Sequence, residues 1–214
     1  MVEEIIRNPE VVYNGSILEH YYENYQPNTF YDFYFVVNRP RNISYQDKIL
    51  LKQNINQYNN NSPWSDTRKI VKLEQAHEHG LARKHGIQHY GPVSKIKGEL
   101  ELQRLKKVFL SIDKNGYNPN DYNGHIKGHF IKYNDDYRFL ITNGIHRTAV
   151  LCAMNKTKIP VVFEPNFPRV LDFNDLKNFP QVRNRVFSEQ LAEQIFLSYF
   201  KDNGTRKAKK LGLL

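Results

Sequence analysis

The sequence contains a single cysteine, Cys152, and no hydrophobic run of the about 20 residues that a membrane helix needs. One cysteine excludes an internal disulfide and a cysteine-based zinc site. The N-terminal residues are too acidic, and their apolar run too short, for a signal peptide. The chain also lacks a Walker A sequence, a Rossmann glycine fingerprint and a Gly-x-Ser-x-Gly turn. We therefore expect a cytoplasmic protein without a transmembrane segment, and one that carries none of these common site signatures.

The charge of the chain is strongly positive. The 214 residues include 31 Lys and Arg against 22 Asp and Glu, for a net charge of +9. Such a balance favours nucleic acid, anionic lipid or phosphorylated small molecules as partners. Much of the excess lies in residues 201–214, which hold five basic residues and one acid. This tail fits either a frayed, solvated end or a segment that docks onto phosphates or a membrane surface.

Composition and turn signals divide the chain into three segments. Residues 1–96 form a Tyr- and Asn-rich N-terminal elaboration, residues 97–165 a regular core, and residues 166–214 a helix followed by the basic tail. Residues 1 to about 65 are predicted to be irregular, apart from an aromatic, β-branched strand over 31–37. A helix is predicted from Ser65 or Asp66 to about Lys84, since apolar residues recur there at helical spacing.

The core alternates helices and strands, which predicts an α/β fold with a small mixed sheet and packed helices. Three signals locate these elements: the 3.6-residue and two-residue periodicities of apolar residues, the helix caps, and the hairpin turn Asn134–Asp136. They predict a helix over 99–114, strands over 130–133 and 137–142, a helix over 146–155, a strand over 158–163 and a helix over 188–201. Val150, Ala153 and Met154 are expected to face inward from the helix over 146–155.

The segment Asn143-Gly-Ile-His-Arg147, between a strand and a helix, is the candidate site. A glycine lets the backbone turn sharply and approach a ligand, and the helix that follows offers free N–H groups to an anion. His146 and Arg147 are side chains suited to phosphate oxygens. A structural turn with a surface arginine explains the same residues without a ligand.

These residues also carry a family resemblance. The run DYRFLITNGIHRTAVL at 136–151, followed by Ile-Pro-Val at 159–161, resembles the signature of the ParB/sulfiredoxin superfamily. The helix through Ser111 and Ile112, which leads to Gly116, is similar to the first helix of that family. The resemblance covers about residues 97–165. It implies the superfamily's fold and the binding of nucleotide phosphates.

The resemblance also implies roles for individual residues. It places the nucleotide on the turn and on one face of the upstream helix, through Gly144, Ile145, His146, Arg147, Thr148, Arg104, Lys107 and Ser111. The three helix residues lie at i, i+3 and i+7, so they share a face, although a solvated helix face would have the same spacing.

Departures from the family pattern select a branch. Sulfiredoxins carry a cysteine where this chain has Ile145, and Cys152 is expected in the core, so sulfiredoxin chemistry is not predicted. ParB partition proteins continue into a helix-turn-helix, whereas residues 166–214 offer one clear helix and a basic tail, too little for that arrangement. Free-serine kinases, the remaining branch, have an acid where this chain has Asn143. Asn143 can hydrogen-bond a hydroxyl but cannot take its proton.

The resemblance to the kinases places a catalytic acid near the start of the helix over 99–114. Glu99 and Glu101 are the candidates for this acid, and His146 would neutralise charge that develops during transfer. Both acids would equally stabilise a helix N-terminus. His125 and His129 either line the mouth of the site or occupy a loop. The histidines at 77, 79, 85 and 89 do not share a helical face, so no metal site is predicted there.

The expected function is an ATP-dependent, Mg²⁺-assisted kinase that acts on a small hydroxylated substrate. A sugar, a polyol or an amino acid is the expected acceptor, since elaborated chains of this type resemble those of bacterial surface-polysaccharide biosynthesis. The alternative is a ParB-like nucleotide-dependent switch or a nucleic-acid-binding module, and a catalytically inactive scaffold is a third interpretation. The sequence does not predict the oligomeric state.

Overall fold

The computed structural model describes residues 1–55, 62–65, 77–78, 80–120 and 124–214. The fold is α/β, as predicted. The helices are α1 (Val2–Arg7), α2 (Ile17–Asn24), α3 (Phe30–Tyr34), α4 (Tyr45–Leu51), α5 (Lys95–Asn115), α6 (Ile145–Ala153), α7 (Pro180–Arg183), α8 (Glu189–Lys201) and α9 (Thr205–Lys210). The strands are β1 (His77–Glu78), β2 (Leu81–Ala82), β3 (Ile126–Tyr133), β4 (Asp136–Asn143), β5 (Val161–Phe163) and β6 (Val170–Asp172). None of the helices within the described ranges is long and apolar enough to cross a bilayer.

The main sheet is built around β3. Strand β4 flanks it on one side and β5 on the other, and β6 also pairs with β3. A tight turn containing Asn134, whose φ is +52°, joins β3 to β4 as a hairpin. The chain then passes through α6 before β5 pairs in parallel with β3, with Ile126 opposite Val161. The sheet is therefore mixed, and the connection from β4 to α6 contains the candidate site. Strands β1 and β2 form a separate antiparallel pair.

The chain forms two compact units that alternate along the sequence. Unit 1 comprises residues 1–20, 95–131 and 137–171, and unit 2 comprises residues 21–94, 132–136 and 172–214.

The core of unit 1 contains apolar faces of α5, α6 and β3. Helix α5 buries Leu102 and Leu105, and α6 buries Val150. Strand β3 contributes Ile126 and Ile131, which are at most 1% exposed. The spacing of apolar residues on α5 follows the helical period, so one stripe is buried while the opposite face stays in solvent.

The core of unit 2 is aromatic. Helix α8 buries Leu191 and Ile195 completely, and the ring of Phe196 packs edge-on against Trp64 with centroids 5.8 Å apart. Phe179 adds a further ring contact to Phe196. Helix α8 begins at the Ser188 cap, as the sequence predicted, because the serine hydroxyl accepts a hydrogen bond from the Leu191 amide.

The basic tail packs onto unit 2. Leu211 is 9% exposed and joins a hydrophobic cluster with Tyr25, Ile55 and Tyr90. The ammonium of Lys207 lies 3.5 Å from the centroid of the Tyr25 ring, and burial lowers the pKa of Lys207 to about 8. The interpretation of this tail as a frayed, solvated end is therefore wrong, since α9 and the residues after it belong to the folded unit.

The N-terminal segment is more helical than its sequence predicted. Helices α1 to α4 occupy much of the stretch expected to be irregular, and the strand predicted over 31–37 is wrong. Thr29 and Asp32 form a reciprocal capping box that begins a helix at Phe30. Two local hydrogen bonds thus outweigh the β-propensity of the aromatic run.

The predictions for the core are largely confirmed. Helix α5, the β3–β4 hairpin, α6, β5 and α8 lie where expected, although α5 and β3 each begin four residues earlier than predicted and β5 begins three residues later. The helix predicted from Ser65 or Asp66 to Lys84 is wrong at its end, where β2 precedes a 3₁₀ helix, Arg83–His85. Residues 66–76 lie outside the described part of the chain. Cys152 is exposed rather than in the core, because it faces away from the side of α6 that buries Val150 and Leu151.

Asp47 is a buried carboxylate that joins two helix caps in unit 2. It is 1% exposed and accepts hydrogen bonds from the amides and hydroxyls of both Ser44 and Ser188. Ser44 caps α4 and Ser188 caps α8, so one side chain fixes the starts of both helices. Burial alone would raise the pKa of Asp47, but these hydrogen bonds to the charged form outweigh it and lower the pKa.

We expect Asp47→Asn to lower the free energy of unfolding by about 2–4 kcal/mol, because an amide cannot accept all four hydrogen bonds. Because the folded pKa is lowered, the contribution of the carboxylate is present above the unfolded pKa of about 3.9 and is lost as pH falls through the folded value. Urea denaturation at pH 7 and at acid pH measures both effects. Asp175→Asn, at an exposed acid of the same unit, is the control. Equal losses in the two variants would contradict the assignment.

Candidate functional site

The turn between β4 and α6 has the backbone shape that the sequence predicted. Gly144 is the N-cap of α6 and has φ +90°, a left-handed conformation that favours glycine. A Cβ atom at this position would lie 3.0 Å from Cγ1 of Ile126 and 3.3 Å from Nε of Arg147. Gly144 carries no side chain that could cap the first amides of α6, and the amides at a helix N-terminus favour an anion.

Arg147 lies across this turn. Its Nη2 atom donates to Oδ1 of Asn143 at 3.2 Å and to the backbone oxygen of His125 at 3.4 Å. Its Nε atom is buried and has no hydrogen-bond partner among the described residues. A buried, unsatisfied N–H costs free energy, and a phosphate oxygen is one of the groups that would satisfy it. The guanidinium group is thus held by one nitrogen and retains donor capacity toward a ligand.

A cluster of charged side chains joins α5 to the start of α6. The carboxylate of Glu101 lies 2.7 Å from Nη1 of Arg104 and 3.6 Å from Nε2 of His146, both measured to the same oxygen. Its other oxygen lies 2.9 Å from Nζ of Lys97. We call Lys97, Glu101, Arg104 and His146 the Glu101 cluster. It brings together three side chains that the sequence nominated separately, from two helices.

Burial within the Glu101 cluster is graded. The side chains of Lys97 and Glu101 are 0% and 1% exposed, whereas those of Arg104 and His146 are 30% and 22% exposed. The carboxylate and Lys97 therefore lie inside the unit, and Arg104 and His146 reach the surface. A buried carboxylate needs such compensation, because removal of a charge from water is costly unless ion pairs and hydrogen bonds replace the lost solvation.

The other nominated residues are arranged differently. Glu99 is exposed and lies 3.9 Å from Lys95 on its own helix, so it does not join the Glu101 cluster. Lys107 and Ser111 are exposed farther along α5, and Ile145 is 45% exposed at the start of α6. The remaining contacts are internal to the turn, where the Thr148 hydroxyl donates to the Gly144 carbonyl and Asn143 holds Arg147.

The two histidines of the preceding segment differ in environment. His125 is half-buried and presents its backbone oxygen to Arg147. His129 is 4% exposed, and its ring packs on Phe167 with centroids 4.6 Å apart. Burial lowers the pKa of His129, and the nearby Glu164 carboxylate opposes that shift only in part. His129 therefore lies within the interior, not at an open mouth.

Lys97 is the residue of the Glu101 cluster that sequence reasoning missed. Its spacing from Glu101, four residues along one helix, was the available signal. A lysine in the first turn of a helix is usually solvated, and nothing in the local pattern predicted complete burial. The described residues contain no group of three or more His, Cys, Asp or Glu side chains that could hold a metal ion.

No protein-family model, no curated protein and no solved structure matches the chain.

Proposed function

We propose that the chain is an ATP-dependent kinase that transfers a phosphoryl group to a hydroxyl of a small substrate. The observation that carries the proposal is the Glu101 cluster beside the Gly144 turn. The turn and the start of α6 offer a backbone suited to phosphate, an arginine with an unsatisfied N–H and the partly buried His146, while α5 offers the carboxylate that pairs with this histidine. Phosphoryl transfer depends mainly on positioning and charge neutralisation, which such groups supply.

We assign the binding of the ATP phosphates to the Gly144 turn. The uncapped amides of α6 and the guanidinium of Arg147 would bind phosphate oxygens, and Arg104, at 30% exposed, adds a second cation on the α5 side. Gly144 lets Ile126 and Arg147 pack closely against the turn, because any side chain there would crowd both. Lys107 and Ser111, exposed on the same helix, stay predictions for contacts with the rest of the nucleotide.

We assign the role of proton acceptor to His146. The hydroxyl oxygen forms a bond to the γ-phosphorus, the bond from that phosphorus to the ADP oxygen breaks, and the hydroxyl proton passes to the imidazole. Glu101 is buried, so we assign its carboxylate a positioning role: at 3.6 Å from Nε2 of His146 it attracts the imidazolium that forms. This role differs from that of a base in direct contact with substrate. Asn143 can hydrogen-bond the hydroxyl but holds Arg147 in this structure.

The described residues do not fit a protein-held Mg²⁺ site. Glu101, the carboxylate of the cluster, already faces three basic side chains. Magnesium commonly binds through substrate phosphates and water with few protein ligands. We therefore assign Mg²⁺ to the ATP phosphates and assign no protein ligand to it.

A sugar, polyol or amino acid is the proposed acceptor class, as in bacterial surface-polysaccharide biosynthesis. We place the protein in the cytoplasm, where ATP is available. The test is to incubate the purified full chain with ATP and Mg²⁺ and a panel of sugars, polyols and amino acids, with ADP and phosphorylated product as the readouts. The proposal predicts transfer to at least one hydroxylated acceptor. Binding of ATP without any phosphorylated product across the panel would refute kinase activity and favour a nucleotide-dependent switch.

A further inference from the structure

Unit 2 contains a groove that the proposed function does not use. Its volume is about 810 Å³, within the roughly 300–1,000 Å³ of small-molecule sites. The segment between α3 and α4 forms one wall, and α8 with the start of α9 forms the other. All of its lining residues belong to unit 2, so the groove is a feature of that unit alone.

The wall formed by the α3–α4 segment is held in place from two sides. The amide side chain of Gln194 on α8 makes a pair of hydrogen bonds to the backbone of Arg41, accepting from its N–H at 2.6 Å and donating to its oxygen at 2.9 Å. Lys210 on α9 donates to the backbone oxygen of Val36. The groove is therefore shaped before any ligand arrives, which reduces the entropic cost of binding.

The charges around the groove are mostly positive. Arg39, Arg41, Lys201 and Arg206 line it, against Glu193 as its acid. Arg206 lies 3.7 Å from Asp202, and its side chain is 54% exposed, so water weakens this ion pair. Arg39 and Lys201 are exposed and have no side-chain partner among the described residues. Like charges placed around one concavity repel each other, so a multiply charged anion would be stabilised there.

The polar and aromatic lining favours phosphate over a stacked base. Asn38, Asn42, Gln190 and Ser198 add neutral hydrogen-bonding groups beside the cations. Phe35 is 7% exposed, and the ring of Tyr34, the other aromatic residue of the lining, already contacts Phe30, Phe33 and Phe35, so neither is set aside for a nucleobase. Guanidinium groups bind phosphate oxygens in fork geometry, and three arginines converge on this groove.

From these observations we propose that the groove binds a small ligand with two or more linked phosphate groups, through Arg39, Arg41 and Arg206. This site lies within unit 2 and is distinct from the Gly144 turn of unit 1. It requires neither ATP hydrolysis nor phosphoryl transfer, so it does not depend on the proposed kinase activity.

Calorimetric titration with inorganic tripolyphosphate tests the groove. The titration is performed on full-length Arg147→Gln protein, so that the turn of unit 1 contributes less to the signal. Adding Arg39→Gln and Arg41→Gln is expected to weaken binding by about tenfold or more, since each replacement removes charge-assisted hydrogen bonds. The matched control adds Lys177→Gln and Arg183→Gln instead. These substitutions also remove two positive charges from unit 2, but from exposed positions outside the groove.

The outcomes separate the proposal from general charge attraction. Weaker binding in the groove variant alone supports the site, and circular dichroism establishes that each variant is folded. Substitution of both groove arginines by lysine gives an intermediate affinity if the forked geometry matters. Absence of tripolyphosphate binding, or an equal loss in groove and control variants, overturns the proposal. Binding of a single-stranded oligodeoxynucleotide without tripolyphosphate binding overturns it in favour of a nucleic-acid surface.

Discussion

Replacement of Glu101 by alanine is expected to lower the free energy of unfolding by about 3–5 kcal/mol. The reason is the position of Lys97, whose side chain is 0% exposed and whose ammonium lies 2.9 Å from the lost carboxylate. Removal of one member of a buried ion pair leaves the other charge in the interior without that compensation. Arg104 loses the same contact but can turn to solvent, because it is already 30% exposed. Urea denaturation of the wild type and of Glu101→Ala measures the difference in their free energies of unfolding.

The double variant Lys97→Met/Glu101→Leu is the control for this prediction. Apolar residues of similar volume often replace a buried ion pair at little cost, so most of the lost stability is expected to return. The proposed phosphoryl transfer is not expected to return, because His146 still lacks the carboxylate that lies 3.6 Å from its Nε2 atom. A loss below about 1 kcal/mol in Glu101→Ala would contradict the buried pair. Full activity in the double variant would contradict the role of Glu101 in positioning His146.

Replacement of His146 by glutamine is expected to lower kcat by about 10²–10⁴-fold, the usual contribution of a positioned proton acceptor. The Kd of ATP is expected to change little, since the backbone of the turn and Arg147 remain. The two quantities are measured separately, by steady-state kinetics and by calorimetry. This split distinguishes proton transfer from phosphate binding, because loss of a phosphate contact would raise the Kd.

A matched substitution controls for general effects on unit 1. Lys156→Gln removes a positive charge from an exposed position just beyond α6 and is expected to leave kcat unchanged. The interpretation of His146 as the proton acceptor fails if His146→Gln retains the wild-type kcat. It also fails if the Kd rises as much as kcat falls, which would make His146 a phosphate contact only.

The regular core was predictable because its periodicities agree with its tertiary contacts. The apolar stripe through Leu102 and Leu105, and the Gly144 break between strand and helix, each reflect a single dominant local preference. The 31–37 segment was not predictable from composition, because the capping box at Thr29 and Asp32 decides the conformation of an aromatic run that would also suit a strand.

The Glu101 cluster was predictable in part. The sequence points to Arg104 on the first core helix and to His146 on the turn, but it does not distinguish Glu99 from Glu101 as the acid. The two acids are two residues apart on a helix and therefore point in very different directions. Which of them is buried depends on where α5 packs against α6. The burial of Lys97 depends on the same packing, so a single sequence does not reveal it.

The groove of unit 2 could not be predicted from the sequence, for a different reason. Arg39 and Arg41 lie in a segment between two short helices, and Arg206 lies more than 160 residues later in the basic tail. No local pattern joins them. Their convergence depends on the folding of α9 onto the unit and on the hydrogen bonds between Gln194 and Arg41. Charge counting identified an attraction for anions but not the place where it acts.

Nucleotide binding by the Gly144 turn is the central claim, and a thermal-shift panel tests it most directly. The panel contains ATP, CTP, GTP and ADP, each with and without Mg²⁺, on the Arg39→Gln/Arg41→Gln protein, whose unit 2 groove is weakened, and on the same protein with Arg147→Gln or Lys156→Gln added. A ligand at about 100 times its Kd stabilises by about 2.7 kcal/mol, which corresponds to roughly 5–10 °C for a chain of this size. We predict a Mg²⁺-dependent ATP shift that Arg147→Gln loses and Lys156→Gln keeps. No shift with any nucleotide, or an ATP shift that survives Arg147→Gln, would contradict the account.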